Sequence, residues 1–319
     1  MDLAATYREV RKSIVAFVPR YVPLAAGQER PEVPPIVGTG FIVGDGVVIT
    51  NDHVVRTVAR LQRPPDAPKD EPPFAVLLLH EVDEGVAQIY FEVLGLGVLR
   101  EIQVEGHYYG PRRLDLAAVH IKAKGLPKIA VDSGAVPLEE GRLVATAGFP
   151  MGTDALVAPG YLHQLTPTLQ QGIISAVLPF SGTPRPHALM INVMTQGGAS
   201  GSPVFAPDRP AVIGVLYAGL NDVARSPGMP AAYRVPTNQS YVVAAHYLEH
   251  VLDKLKNEKA FVLPPDTLSL EEMMATYKRE NLKPRGEFGL ARQGTETLHV
   301  KIVKRSEIGS SEPTADRDS

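Results

Sequence analysis

The 319-residue sequence contains no cysteine. This absence excludes thiol nucleophiles, cysteine-based zinc sites and disulfide bridges together. The chain is long enough for two packed units and an appendage, and its hydrophobic content of 44% is ordinary for a folded protein. We therefore expect a fold that is held together by packing alone.

The sequence also lacks a long apolar run and a strong excess of charge. The short run 13–18 near the amino terminus ends at Pro19, which is too short for a membrane-spanning helix and has the wrong flanks for a signal peptide. We therefore expect a cytoplasmic protein with no membrane partner. The net charge is −3, with lysines and arginines scattered among acids. Such a surface does not favour phosphate neutralisation, so we expect no nucleic-acid partner.

Motifs for metal and phosphate binding are missing as well. The nine histidines are dispersed, without a His-Glu-x-x-His pattern or comparable ligand spacing. The glycine-rich stretches lead into predicted strands and not into helix N-termini, where phosphate would bind. The sequence therefore predicts neither a metal nor another cofactor.

What the sequence does contain is two successive sets of short β-rich segments with glycine turns. The first set runs to about residue 125 and includes a hairpin signal at 44–46. The second set repeats the pattern to about residue 217. This pattern predicts an all-β fold of two tandem, six-stranded-type antiparallel β-barrels. We assign residues 1–125 to the first barrel, and residues 126–258 to the second barrel with a packing helix.

Helix signals are confined to the later part of the chain. An apolar stripe to Leu255 predicts a helix packed across the barrels, with Thr237 or Asn238 as its N-cap. A capping-box pattern at Ser269 opens a second helix that extends to about Glu280. Residues 259–319 are therefore predicted to form a short α/β extension. In it, alternating apolar residues 298–302 indicate a strand, and 306–319 are polar enough for a disordered tail.

The segment 196–203, Gln-Gly-Gly-Ala-Ser-Gly-Ser-Pro, carries the strongest chemical signal. Small residues packed around Ser200 make a turn whose backbone N–H groups can converge on one point, as an oxyanion-stabilising site requires. Taken alone, the segment is more typical of a glycine-rich hairpin turn, since Gly and Ser dominate turns. His53 and Asp115 stand at the edges of β runs in the first set. The chain order His, Asp, Ser is one of the known orders for a catalytic triad.

Five motifs in order resemble the chymotrypsin-fold, trypsin-like serine proteases, and the HtrA (Deg) branch most of all. They are residues 38–43, 49–55, 114–119, 171–176 and 198–203. The resemblance covers roughly residues 10–255 and implies an active site in the groove between two barrels. It implies His53 as the general base, Asp115 as its orienting partner and Ser200 as the nucleophile, with the backbone N–H groups of Gly198 and Ser200 as the oxyanion hole.

The chain departs from the family pattern in three ways. Ala199 precedes the nucleophile where the family has Asn or Asp, and Ser202 replaces the last glycine of the motif. Because Ala199 cannot form the buried ion pair that activates digestive zymogens, the sequence from Ile36 onward is not expected to be an activation site. No recognisable peptide-binding PDZ module follows the second barrel, so regulation through such a module is not expected.

The resemblance also suggests residues of the specificity pocket. Met194 would lie near the bottom of the primary pocket, Tyr217, Ala218 and Gly219 would offer backbone groups to the substrate strand, and Ala231 would lie on a wall. None of these residues is charged. The resemblance therefore implies a preference for an aliphatic or small apolar residue before the scissile bond.

Two other functions compete with a serine endopeptidase. An α/β-hydrolase esterase would need Gly-x-Ser-x-Gly before a helix and a histidine after the serine, and the sequence around Ser200 has neither. The alternative left open is a catalytically inactive protease fold that serves as a peptide-binding or assembly module. The partner expected in either case is a polypeptide, and oligomerisation or a regulatory protein partner is left open.

Overall fold

Strands dominate the part of the chain that the structure describes. The computed structural model describes residues 2–22, 34–99, 113–134, 137–150, 157–158, 162–163, 166–224 and 233–284. The strands are β1 Ile14–Pro19, β2 Gly38–Gly44, β3 Val47–Thr50, β4 Phe74–Val82, β5 Gly85–Phe91, β6 Val93–Val98, β7 Ala117–Ile121, β8 Ala130–Val131, β9 Leu143–Gly148, β10 Val157–Ala158, β11 Leu162–His163, β12 Thr168–Leu178, β13 Ala188–Ile191, β14 Pro203–Phe205, β15 Ala211–Ala224, β16 Tyr233–Ala244 and β17 Lys283–Pro284.

Within the described ranges, four short α-helices accompany these strands. They are α1 Leu3–Val10, α2 Asp52–Ala59, α3 Ala245–Asn257 and α4 Leu270–Thr276, with 3-10 turns at Arg11–Ser13 and Arg279–Asn281. Among the described residues, none of these helices has the length and apolarity needed to cross a membrane.

The first sheet curls into a barrel because two consecutive strands, β5 and β6, lie at its opposite sides. The strand order is β17-β5-β4-β1-β2-β3-β7-β6. Strand β5 ends at Phe91 and β6 begins at Val93, so only Glu92 separates them. The chain at Glu92 therefore connects the edge strand β6 to β5, which lies next to the opposite edge strand β17. The hairpin expected at 44–46 joins β2 to β3.

The second sheet is a closed ring of six strands. Its order is β14-β9-β12-β13-β16-β15-β8, and an additional pairing of β14 with β15 closes the ring. The short strand β8 lies outside the ring and pairs with β15 in parallel. The prediction of two tandem antiparallel barrels is confirmed.

Each barrel has a hydrophobic cluster of its own. The first cluster includes the buried side chains of Phe17, Ile42 and Phe74. The second includes Ile191 and Val242. Alternating side chains of β-strands point to opposite faces, so each strand contributes its inward residues to one of these cores.

Two of the helix predictions were wrong. The sequence was expected to become helical only late, but α1 and α2 lie in its first sixty residues. The N-cap expected at Thr237 or Asn238 lies inside β16, and α3 begins at Ala245. The flanking residues Pro236 and Ser240 pair with strand β15, which keeps this stretch in β16, since tertiary pairing overrides local helix signals.

The chain after the second barrel returns to the first one. The capping box at Ser269 is present, and α4 ends at Thr276, four residues before the expected end. Leu270 belongs to the hydrophobic cluster of the first barrel, and β17 pairs with β5 at its edge. The predicted strand at 298–302 and the polar tail lie outside the described residues. The domain boundaries stay predictions.

Candidate active site

His53 and Asp115 meet because their strands pair. Strand β3 leads directly into α2, whose first turn carries His53, and β7 follows closely after Asp115. The pairing of Thr50 with Ala117 in β3 and β7 therefore brings the two segments together. The side chain of Asn51 also donates to the backbone oxygen of Asp115 at 2.8 Å.

Both carboxylate oxygens of Asp115 bind His53. Its Oδ1 accepts from the backbone N–H of His53 at 2.9 Å, and its Oδ2 lies 2.5 Å from the ring Nδ1. A carboxylate at Nδ1 favours the tautomer with the proton on that nitrogen, which leaves Nε2 as the basic atom. The His53 side chain is 46% exposed, so solvent or a ligand can reach the ring.

An ion-pair cluster lies beside this pair of residues. The Asp52 carboxylate is only 8% exposed and lies 2.7 Å from the guanidinium groups of both Arg56 and Arg113. Arg56 is one turn further along α2, whereas Arg113 stands two residues before Asp115. The bridge to Arg113 therefore joins the helix of His53 to the segment of Asp115.

Ser200 lies in the loop between β13 and β14, where the second barrel meets the first. The backbone oxygen of Ser200 accepts from the N–H of Thr39 at 2.9 Å, and Thr39 belongs to β2. The Thr50 hydroxyl donates to the Thr39 oxygen at 2.7 Å. Thr50 is three residues before His53, so a short chain of hydrogen bonds connects the serine loop to the histidine segment.

Gly201 lets the two barrels approach this closely. Its φ is +89°, a conformation that L side chains rarely adopt. A Cβ at this position would lie 2.0 Å from the Thr39 oxygen and 2.4 Å from Thr50 Oγ1. The loop after Ser200 therefore requires glycine for both backbone conformation and space.

The backbone hydrogen bonds of the serine loop are donated by the residues that follow Gly198 and Ser200. Ala199 N donates to Gln196 O, and Gly201 N donates to Leu216 O. Within the described ranges, no hydrogen bond is formed by Gly198 N or Ser200 N. One of these N–H groups belongs to Ser200 itself, and the other belongs to Gly198, two residues earlier in the chain.

The two departures around the nucleophile have structural explanations. Ala199 is 3% exposed and belongs to the core of the second barrel, where a carboxylate would have been buried without a partner. The Ser202 hydroxyl is buried and donates to the Ala199 oxygen at 2.6 Å. Gly148 gives it room, since a Cβ there would lie 2.0 Å from Ser202 Oγ.

The predicted catalytic residues are brought together in part. His53 and Asp115 are hydrogen-bonded, whereas no hydrogen bond joins His53 to Ser200 among the described residues. Catalytic hydrogen bonds of proteins without substrate are commonly long and tighten on binding. The described ranges contain no group of three or more His, Asp or Glu side chains that could hold a metal ion.

A cavity of about 750 Å³ opens beside Ser200. Its described lining is uncharged and consists of Ile36, Val37, Thr195, Gln196, Gly197, Gly198, Ser200, Leu216, Ala218, Gly219, Asn221 and Pro236. Two predicted specificity positions, Ala218 and Gly219, are in this lining. Met194 is 41% exposed and is not among the described lining residues, although its neighbour Thr195 is. Ala231 lies outside the described residues.

Tyr217 packs on a neighbouring aromatic ring and lies close to the Asp115 charge. Its ring centroid lies 6.0 Å from that of Tyr241. Burial raises the pKa of Tyr217, and the nearby Tyr241 and Asp115 raise it further. Its hydroxyl therefore stays protonated at neutral pH.

Two features of the site were missed by sequence reasoning. For the ion pair of Asp52 and Arg113, the only signal in the sequence was that both charged residues lie close to the motifs. Thr39 was noted only as part of a motif, although its contacts reach a loop about 160 positions later. Sequence spacing carries no information about such a contact.

The family comparison agrees with this architecture. Residues 38–215, more than half of the chain, match the family model of the trypsin-like peptidase domain. No curated protein matches the sequence. A solved structure, the serine endoprotease from Yersinia pestis, is 18% identical over 82% of this chain and 68% of that chain, with a TM-score of 0.48. On this match over residues 38–215, the chain belongs to the family of the trypsin-like peptidase domain.

Proposed function

We propose that the protein is a serine endopeptidase that uses Ser200, His53 and Asp115 as its catalytic triad. The observation that carries this proposal is the binding of His53 by both oxygens of the Asp115 carboxylate. This contact fixes the ring by its Nδ1 side and leaves Nε2 to act as a base. The fixed serine loop supplies the third member from the second barrel.

The proposed reaction has two acyl-transfer steps. Ser200 Oγ attacks the carbonyl carbon of the scissile peptide while His53 Nε2 accepts the hydroxyl proton. The tetrahedral intermediate collapses to an acyl-enzyme, and the same proton passes to the departing amine. Water then attacks the ester, with His53 again accepting a proton and returning it to Ser200. Asp115 stays ionised and stabilises the imidazolium in both steps.

Charge that develops on the carbonyl oxygen would be stabilised by the N–H groups of Gly198 and Ser200. Neither group donates a hydrogen bond within the described residues, which supports this role. Donors that are already oriented need no rearrangement when the oxyanion forms. Removing one such donor typically costs about 3 kcal/mol in the transition state.

The cavity beside Ser200 is the proposed pocket for the side chain before the scissile bond. Its described lining carries no charge, which supports an aliphatic or small apolar side chain over a basic or acidic one. A library of peptide substrates that differ at this position tests the assignment. A strong preference for Arg or Lys would refute it.

Labelling with a fluorophosphonate probe tests the nucleophile. We expect the wild-type protein to be labelled and both Ser200→Ala and His53→Ala to abolish labelling. Ser202→Ala is the matched control, because its hydroxyl is buried and bonded to Ala199, and it should keep the label. Labelling that survives in Ser200→Ala would place the nucleophile elsewhere.

A catalytically inactive peptide-binding module is the second candidate. It is favoured by one observation, the missing hydrogen bond between His53 and Ser200 in the described part of the chain. Such a module would bind an apolar peptide at the cavity but would neither cleave it nor react with the probe. Peptide binding without labelling would therefore favour the module over the peptidase.

A further inference from the structure

We propose that Thr39, in the first barrel, positions the oxyanion-binding amides of the second barrel; this inference rests on the function proposed above. Its hydroxyl donates to the backbone oxygen of Gly198 at 2.7 Å, and its N–H donates to that of Ser200 at 2.9 Å. Gly198 and Ser200 are the same two residues whose amide N–H groups are unbound in the described ranges. Thr39 therefore binds both residues through their carbonyl groups and leaves their amides free.

Thr39 is itself held in one orientation. The residue is fully buried, and its backbone oxygen accepts from the Thr50 hydroxyl at 2.7 Å. Its own hydroxyl oxygen accepts from the Phe149 N–H at 3.0 Å. Because a hydroxyl has a single proton to donate, that proton is directed to Gly198. The hydroxyl is thus fixed by partners on both sides.

This anchoring matters because glycine has little conformational preference of its own. Gly198 has a φ of +90°, in a segment where the preceding Gly197 has no atom within 4 Å of an added Cβ. Rotation of a peptide group in such a segment would replace an inward N–H with a carbonyl oxygen, which repels an oxyanion. The bond from Thr39 holds the Gly198 oxygen, which lies in the next peptide group, and so fixes the Gly198 Cα about which that rotation would occur. Thr39 is therefore a positioning residue and does not touch the substrate.

Three variants separate this role from general stability. Thr39→Val keeps the shape of the side chain and removes the hydroxyl, and Thr39→Ser restores the hydroxyl. Thr146→Val is the matched control, because Thr146 is also buried and donates to a backbone oxygen near the serine, that of Pro203 at 2.9 Å. No hydrogen bond joins Thr146 to Gly198 in the described part of the chain. Thermal unfolding checks that each variant is folded.

The readouts distinguish transition-state binding from substrate binding. A tetrapeptide aldehyde ending in valine forms a hemiacetal with Ser200. The former aldehyde oxygen of this hemiacetal would occupy the oxyanion site. A peptide of the same sequence with a reduced, methylene-amine bond has no such oxygen. Removing an oxyanion donor lowers kcat by about 10²–10³-fold. Because Thr39→Val keeps both N–H donors and only orients them less firmly, kcat should fall less, by about tenfold. In Thr39→Val we expect kcat and aldehyde affinity to fall by about this factor, with KM and reduced-peptide affinity unchanged.

The remaining outcomes are equally definite. Thr39→Ser should recover most of the lost kcat, and Thr146→Val should retain it. Equal losses of kcat in Thr39→Val and Thr146→Val would overturn the inference, as would a parallel fall in affinity for both peptides. An active wild type with an unimpaired Thr39→Val variant overturns this inference alone. A wild type that does not react at Ser200 overturns the proposed function and this inference with it.

Discussion

Arg113 donates to the carboxylate of Asp52 at 2.7 Å, which links the residue before His53 to the residue two positions before Asp115. Asp52 is bound equally closely by Arg56, but that pair lies within α2. The two arginines therefore carry the same charge at the same carboxylate, and only one of them connects the two segments of the proposed triad.

We predict that Arg113→Gln lowers kcat/KM more than Arg56→Gln does. Both arginines are about half exposed. A pair with an exposed partner contributes up to about 1 kcal/mol, which corresponds to about fivefold in rate. Both substitutions remove one positive charge. A difference in their kcat/KM therefore measures the effect of joining the His53 helix to the Asp115 segment. The measurement is steady-state hydrolysis of a peptide substrate across pH, and equal losses would contradict the prediction.

A second prediction concerns the pH dependence of stability. Burial, followed by the charge of Arg185, lowers the pKa of His246 from its ordinary value of 6.5 to about 4, with a smaller opposing effect of Glu249. Between these two pH values the unfolded chain binds a proton at His246 that the folded chain does not. Stability should therefore fall as pH decreases from 6.5 to about 4.

The variant His246→Gln should lose less stability over this pH interval than the wild type. The free energy of unfolding, measured by urea at pH 7 and pH 5, gives the comparison. His250→Gln is the control, because it removes an exposed imidazole one turn further along α3. An identical pH dependence in wild type and His246→Gln would exclude this residue as the cause.

The strands of the fold could be predicted from local sequence, whereas the helix α2 after β3 could not. Glycine turns between β-branched runs marked β2 and β3 correctly. The residues Val54, Val55 and Val58 have helical spacing and are buried in the first barrel, but the run is only eight residues long. A β-branched segment that short resembles a strand until its packing is known.

The candidate site was predictable as a set of residues but not as a geometry. The motifs named His53, Asp115 and Ser200, and their assignment as a triad stays a proposal, as does the HtrA branch. The contacts of Thr39 with the serine loop depend on how two barrels meet. Local sequence cannot encode this relation, because each barrel's pattern is satisfied by its own core.

Gly148 and Ser202 provide a third prediction, on energetic coupling. An added Cβ at Gly148 would lie 2.0 Å from Ser202 Oγ and 2.9 Å from Thr39 Oγ1. We expect Gly148→Ala to destabilise the protein by about 1–3 kcal/mol, the typical range for overpacked cores. The double variant with Ser202→Gly should recover part of this loss, because the closer of the two clashes is gone. Urea unfolding of the four proteins gives the coupling energy, and simple additivity would contradict the prediction.

The fourth prediction concerns Gly201, where backbone conformation and close packing act together. Alanine there would adopt a strained φ of +89° and place its methyl group 2.0 Å from the Thr39 oxygen. Strained backbone conformations cost about 1–3 kcal/mol each, and the contact with buried backbone adds to this. We expect Gly201→Ala to lose about 3 kcal/mol or more of unfolding free energy in urea. Because relief of the clash moves Ser200 away from the first barrel, peptide hydrolysis should be lost as well.

Gly197→Ala is the matched control for Gly201→Ala. Gly197 lies in the same loop, has no positive φ and has no atom within 4 Å of an added Cβ. Its unfolding free energy should therefore stay within about 0.5 kcal/mol of the wild type. If Gly201→Ala proves as stable as Gly197→Ala, the close approach of the serine loop to Thr39 and Thr50 is not a requirement of the fold. The hydrogen bonds from Thr39 to Gly198 and Ser200 would then lose their structural basis, since the same contact between barrels creates them.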